Sequence, residues 1–437
     1  WTTPIAQIKW GIDTVDSVVG FNPSRNNKFV MSHHPFFKYF YYTNIYLLLP
    51  YIHYRIKLFY RHLGFQFQRY LANTLLLCMD LIPGLPDDLG MECLIRVDYK
   101  QLPALAAVSR SWKHEVQKPS FHNHRRASRF TKTLLIMAQA QVLSPELNTS
   151  HKYRPQPIYR LSVLNPDSGE WSLLPPIQID GVPSDLPLFS QVVSVGTELL
   201  IFGGLDPHTW EVSRAVLIFS FLTATWRKGS DMPGLRRSFF GCAADSNEKT
   251  VYIAGGHDED KNALRSAMVY DLVRDEWVEL PDMAEERDEC KVVFRMGMIY
   301  VVGGYATEMQ GKFKKGTEIL HVASRDWITP NMNFLDSDAC PRTCLTAGEC
   351  ETLYMCSDGD IVALKGSRWE TLCKIPSDVA TCEYVSSFRR KLIVVGSAKF
   401  GDPRATRLLN LDDCLWSGLD TPVEYSGHVQ SACCFDI

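Results

Sequence analysis

Six tryptophans, at 171, 226, 277, 327, 369 and 416, recur at intervals of 42 to 55 residues, each seven positions after an apolar side chain: Leu164, Phe219, Tyr270, Leu320, Val362 and Leu409. Upstream of three of them an apolar run ends in a glycine pair, Gly203-Gly204, Gly255-Gly256 or Gly303-Gly304. In the fourth unit the pair has become Ser357-Asp358-Gly359, and in the fifth only Gly396 remains. Thr250 to Met283 shows the unit most clearly: an apolar run, a glycine pair, a polar loop, a second run holding Tyr270, the charged turn Arg274-Asp275-Glu276, and Trp277. Short apolar runs punctuated by turn residues are hairpin-linked strands, and their repetition makes the chain an array of small sheets. Glycine serves where the backbone turns with positive φ and another backbone approaches closely; tryptophan fills space between neighbouring sheets.

Five units are complete, starting near Leu186, Ser238, Glu289, Arg342 and Ala380. A sixth is split between the two ends of the array. Leu134–Gln139, Tyr159–Leu164 and Trp171–Leu174 supply its second to fourth strands, and Val429–Phe435 (VQSACCF) its first. Joining the ends removes the exposed sheet edges that an open array would carry. The fourth unit, with a short third strand, is expected to be the least regular. This pattern resembles the kelch repeat, which implies a mainly β fold: a six-bladed β-propeller over residues 133–437, closed by the C-terminal strand.

A net charge of −3 on 437 residues argues against a nucleic-acid or membrane-surface protein. The 13 cysteines, several inside apolar runs (Cys242, Cys356, Cys433, Cys434), read as reduced thiols packed as small hydrophobes, which suits the cytoplasm and nucleus. Residues 1–78 are aromatic-rich, and their longest uncharged run, Tyr39 to Tyr54, is 16 residues. That is short of the roughly 20 a membrane span needs. The segment is expected to be an extension without defined function, foreign to the folded protein or disordered, with Met79 as the start.

Residues 79–122 read as a helical pair. Pro86 suits a first helical turn, with Asp87 and Asp88 at the positive helix end. Leu89, Cys93, Leu94 and Val97 recur at helical spacing; Leu102-Pro103 opens a second stripe through Leu105, Val108, Trp112 and Val116, and Pro119 stops it. So small a pair buries too little surface to stand alone, so it docks on the repeat domain or on a partner. LPDDLGMECLIRV followed by LPALAAVSRSWKHEV resembles an F-box, apart from Gly90 and Met91, which replace commoner residues. The resemblance implies binding to a Skp1-type adaptor, and through it a cullin ligase, by Leu85, Pro86, Leu89, Leu94, Val97, Leu102, Val108 and Trp112. Residues 123–132 read as a basic linker.

Enzymatic readings find little support in the sequence. Some kelch propellers are copper oxidases, but His208, His257, His321 and His428 stand at different places in their units. Cys340 and Cys344 lack a second tight pair for zinc, and the glycine pairs lead into strands, not helices, so no phosphate loop is present. No cofactor or metal is expected. What recurs is positive charge ahead of successive first strands: Arg236, Arg237, Arg287 and Arg342. Equivalent positions of a propeller share one rim, where guanidiniums could hold carboxylates or carbonyls of a protein substrate. The competing reading pairs each with a nearby acid such as Glu285 or Asp288. An F-box followed by kelch repeats and the terminal GHVQSACCF resemble the plant F-box/kelch-repeat proteins, most of all the KISS ME DEADLY type. This implies a non-catalytic substrate receptor of a Skp1–cullin–F-box ubiquitin ligase. Its implied targets are phenylalanine ammonia-lyase or type-B response regulators, hence phenylpropanoid synthesis and cytokinin signalling. The alternative from another class is a kelch interaction scaffold without a ligase role.

Overall fold

Strand-forming runs fix the architecture. The computed structural model describes residues 81–142, 157–347 and 351–437, all within one compact unit, Met79–Ile437. The expected extension 1–78 lies outside the described residues, as do 79–80, 143–156 and 348–350. Among the described residues, the strands form six antiparallel sheets of four. Each sheet is a blade. The inner strands are Gln191–Val195, Gly241–Asp245, Lys291–Arg295, Leu345–Ala347, Thr381–Phe388 and Val429–Asp436 for blades 1 to 6. Each touches the next, and the sixth touches the first, so the ring is closed. Blade 6 is the composite one: Val429–Asp436 pairs with Thr133–Ala140, which pairs with Tyr159–Asn165, which pairs with Glu170–Leu173.

Apolar side chains of facing blades interdigitate between the sheets. Phe202, Ile218, Ile253 and Tyr270 fill the space between blades 1 and 2. Each repeat tryptophan stands on the outermost strand of its blade, and its indole N–H donates to a carbonyl of the preceding blade. The six acceptors are Asp420 O (Trp171, 2.9 Å), Pro175 O (Trp226, 3.1 Å), Ser230 O (Trp277, 2.8 Å), Pro281 O (Trp327, 2.7 Å), Phe334 O (Trp369, 2.7 Å) and Lys374 O (Trp416, 3.0 Å). The period in the sequence is therefore a ring of stitches between blades.

Blade 4 departs from expectation. Its short strand is the first, Leu345–Ala347; its third, Asp360–Lys365, has full length. Trp369 pairs with Leu364, not Val362, which faces Thr371 instead. In the other blades the residue seven before the tryptophan is its cross-strand neighbour, as Tyr270 is for Trp277. Here Gly366 at φ +61° tightens the hairpin and shifts the register by two.

The helical module has four short helices, not two: α1 (Asp87–Leu94), α2 (Leu102–Val108), α3 (Arg110–Gln117) and α4 (Pro119–Ala127). Ser109 breaks the second stripe. Its backbone is extended, and its hydroxyl accepts from Trp112 N at 3.1 Å as the cap of α3. Pro119 begins α4 where a stop was expected, because a first-turn residue needs no N–H. The expected linker 123–132 is thus half helix. Arg125, buried, donates to Ile95 O (2.8 Å) and Val97 O (2.7 Å) and ties α4 to the chain leaving α1.

In a four-stranded antiparallel blade, the 1–2 and 3–4 turns lie at one end and the 2–3 and inter-blade loops at the other. The module joins the propeller at the first end. Lys100 Nζ lies 2.6 Å from Glu170 Oε1, at the 3–4 turn of blade 6. Lys132 and Ile437 exchange backbone bonds of 2.7 and 2.8 Å. The opposite end, with the inter-blade loops, is the mouth.

Candidate functional site

Two surfaces at opposite ends of the unit Met79–Ile437 carry the sequence-derived candidates. At the module end, those candidates divide by burial. Leu94, Val97, Leu102 and Trp112 form the module's own core. Trp112, 7% exposed, donates from Nε1 to Leu81 O at 2.6 Å. An adaptor-facing role for these four is corrected: they shape the module and are not on its surface. Leu85 and Val108 are half-buried, Pro86 is exposed, and Leu89 is 44% exposed, large for a leucine. Pro86, which caps α1, and Leu89 and Cys93 on its solvent face fall three and four apart, an apolar strip that is exposed among the described residues. Cys93 was assigned no adaptor role in the sequence. Its helical spacing gave the signal, and only its exposure separates it from Leu94.

At the mouth, two of the four arginines are internal. Arg237 is buried and donates from Nη1 to Gly255 O (3.3 Å) and Ser266 O (3.2 Å), and from Nη2 to Ser266 Oγ (2.8 Å). Burial pulls its guanidinium down to about 10. Arg287, 0% exposed, stands in the same place in blade 3. It donates to Gly303 O (2.7 Å), Gly316 O (3.1 Å) and the buried carboxylate of Glu318 (3.0 Å). Both take up the carbonyl of the first residue of their blade's glycine pair. A Cβ on Gly256, at φ +81°, would meet Ser238 O at 2.4 Å, so this turn admits only glycine. The expectation that Arg237 and Arg287 offer their charge on the rim is therefore corrected. Their equivalence is real, but it serves the inside of the turn.

Arg236 is half-buried; it donates to Val212 O of blade 1 at 3.1 Å and approaches Glu259 at 3.8 Å. Arg342 differs from all three. It sits on a 3-10 turn, Pro341–Thr343, exposed, and has no hydrogen-bond or ion-pair partner among the described residues. It lines a central cavity of about 540 Å³.

The same face holds a constellation that the sequence hid. Ser238 Oγ lies 2.8 Å from His257 Nε2, and His257 Nδ1 lies 2.8 Å from Asp288 Oδ2. This is the spacing of a nucleophile–base–orienter relay. Ser238 is 2% exposed, however; its amide and carbonyl are both bonded to His257, and the Phe239 ring stacks on the imidazole at 5.2 Å. No reacting carbon can approach the hydroxyl. The three residues link the loop into blade 2 to the loop into blade 3. Separations of 19 and 31 residues conceal them in a linear reading.

Of the candidate thiol ligands, Cys344 is fully buried and pushed up to about 12 by burial, so it is a protonated packing group. His428 is held below the ordinary imidazole range, first by burial, and its Nδ1 lies 2.8 Å from Tyr159 Oη. Glu383 is held by Arg404 through bonds of 2.6 to 3.1 Å.

Comparison with known proteins agrees with the two parts of the fold. The F-box domain model matches residues 82–124, and the Kelch motif model matches 189–233 and 236–284, the first two complete blades. Two F-box/kelch-repeat proteins of Arabidopsis thaliana are 45% and 44% identical to the chain, each over 82% of it and 100% of their own length. A third from the same plant is 36% identical over 67% of this chain and 76% of its own.

Proposed function

The chain belongs to the F-box/kelch-repeat proteins, and from that premise we propose that it is the substrate receptor of a Skp1–cullin–F-box ubiquitin ligase. The observation that carries the reading is the apolar strip Pro86–Leu89–Cys93, exposed among the described residues on the module at the end of the propeller opposite the mouth. A partner on that strip leaves the mouth free for a protein target. The mechanism is proximity: the target is held where a conjugating enzyme can reach it, and the receptor donates no catalytic group. Arg342, exposed, and Arg236, half-buried, are two of the mouth cations within reach of a target. The resemblance to the KISS ME DEADLY type adds phenylalanine ammonia-lyase and type-B response regulators as targets, and these rest on that resemblance alone. The cytoplasm and nucleus as the place of action rest on the reading of the cysteines as reduced thiols.

The test is co-purification with a Skp1-type adaptor. Leu89→Asp is expected to abolish capture while the melting temperature stays that of the wild type, since the side chain is in solvent. Trp112→Ala is not a usable probe of the face, because it removes core. Undiminished capture by Leu89→Asp would reject this adaptor face, and failure of the wild-type chain to bind any Skp1-type adaptor would favour the scaffold reading.

A further inference from the structure

We propose that the central cavity is a binding site for an anionic aromatic group, with its ring against Phe189 and Phe239 and its charge on Lys291 and Arg342. All four side chains line the one cavity of about 540 Å³, a volume within the range that encloses small organic ligands. Phe189 and Phe239 hold the same position in blades 1 and 2, one residue ahead of Ser190 and Phe240, and their ring centroids are 5.0 Å apart. Phe189 is 39% exposed. Both have left-handed backbones, at φ +57° and +55°. Glu289 holds the same position in blade 3 with the same backbone, at φ +49°, so the left-handed turn belongs to the entry of each of these blades, and the side chain it carries lines the cavity.

The hydrogen bonding of the cavity supplies the other half. Its acids have partners: Glu289 accepts from Tyr305 Oη at 2.9 Å, Glu383 is held by Arg404 and also accepts from Val429 N at 3.2 Å, and Glu351 accepts from Met296 N. Its two strong cations have none. Neither Lys291, on the inner strand of blade 3, nor Arg342, on the turn into blade 4, has a hydrogen-bond or ion-pair partner among the described residues. They flank Cys344, whose thiol feels the Lys291 charge. Two cations without a hydrogen-bond or ion-pair partner among the described residues are free to hold an anion in a concave site, and a guanidinium takes a carboxylate or phosphoryl group through two parallel bonds. An aromatic ledge on blades 1 and 2 and a cationic wall on blades 3 and 4 together describe an aryl carboxylate or aryl phosphate. This inference does not rest on the receptor reading, because adaptor binding does not enter its assay.

The test is isothermal titration of the full chain with phenyl phosphate, benzoate, inorganic phosphate and benzyl alcohol. Phenyl phosphate and benzoate are expected to bind saturably. Inorganic phosphate and benzyl alcohol, each carrying half of the recognition, should bind at least about tenfold more weakly. Arg342→Met and Lys291→Met should each weaken phenyl phosphate by about tenfold or more and leave benzyl alcohol unmoved. Phe189→Ala with Phe239→Ala should bring phenyl phosphate to the level of inorganic phosphate. A phosphotyrosine peptide that binds as well as phenyl phosphate assigns the group to a protein target, and a peptide that is excluded assigns it to a free small molecule. No saturable binding of either aryl anion, or binding that both methionine variants leave intact, overturns the proposal.

Discussion

Arginines read as equivalent in the sequence have opposite duties. Arg287 is packed among two carbonyls and the buried Glu318 carboxylate, so removing it strands a charge in the interior. Arg287→Ala is expected to destabilise the propeller by about 3–5 kcal/mol, the scale for breaking a buried pair from one side. Arg342→Ala, on a solvent-facing turn without a partner among the described residues, should shift stability by no more than about 0.5 kcal/mol. Urea denaturation of the two variants separates these outcomes. Similar values for both would mean that the division into structural and available arginines is wrong. Loss of target capture in an Arg287 variant is therefore no evidence of contact, and Arg342 is the residue to probe.

At the level of the element, the tryptophan is a stitch as well as a wedge, and the two roles can be separated. Trp277→Phe keeps most of the packing against Phe202 and Tyr270 and deletes the bond to Ser230 O. Its expected cost is about 1–2 kcal/mol. Trp416→Phe deletes the same bond at a solvent-exposed site, where water replaces the lost donor, and should cost under about 1 kcal/mol. Equal costs in thermal or urea unfolding would deny that the stitch depends on its burial. The blades themselves were readable in the sequence, because hydrophobic alternation, glycine pairs and tryptophans all report local requirements of one hairpin. The split sixth blade was readable because VQSACCF has strand chemistry and no hairpin partner of its own. What could not be read depends on the direction of a side chain. Arg237 and Arg342 look alike until the turn that carries each is known. Leu94 and Leu89 share a helix, and only the fold tells core from surface. Ser109 broke a regular stripe because its hydroxyl caps α3, a local competition that periodicity does not register. Phe189 and Phe239 read as core in the sequence, as a phenylalanine beside a strand does, and only the left-handed turn places these two on the cavity wall.

For the molecule as a whole, everything depends on closure, and closure depends on one strand. Val429–Asp436 is the inner strand of blade 6, touches the inner strands of blades 5 and 1, and pairs over its length with the buried Thr133–Ala140. It also braces the mouth: Gln430 accepts from Phe189 N at 2.7 Å and donates to Pro187 O at 3.0 Å, while Val429 N bonds Glu383 at 3.2 Å. Deleting 429–437 would bare an apolar strand edge and the apolar flanks of two further blades, a template for association between chains. The truncated chain is expected to lose its single cooperative unfolding transition and to aggregate in size-exclusion chromatography, although five blades retain all four strands. A synthetic peptide of residues 427–437, added during refolding, should restore both the monomer and the transition, since it supplies the missing inner strand without a covalent link. If the truncated chain stays monomeric and unfolds in one transition, the blades are held by neighbour contacts alone, and the joining of the two chain ends adds nothing to the stability of the ring.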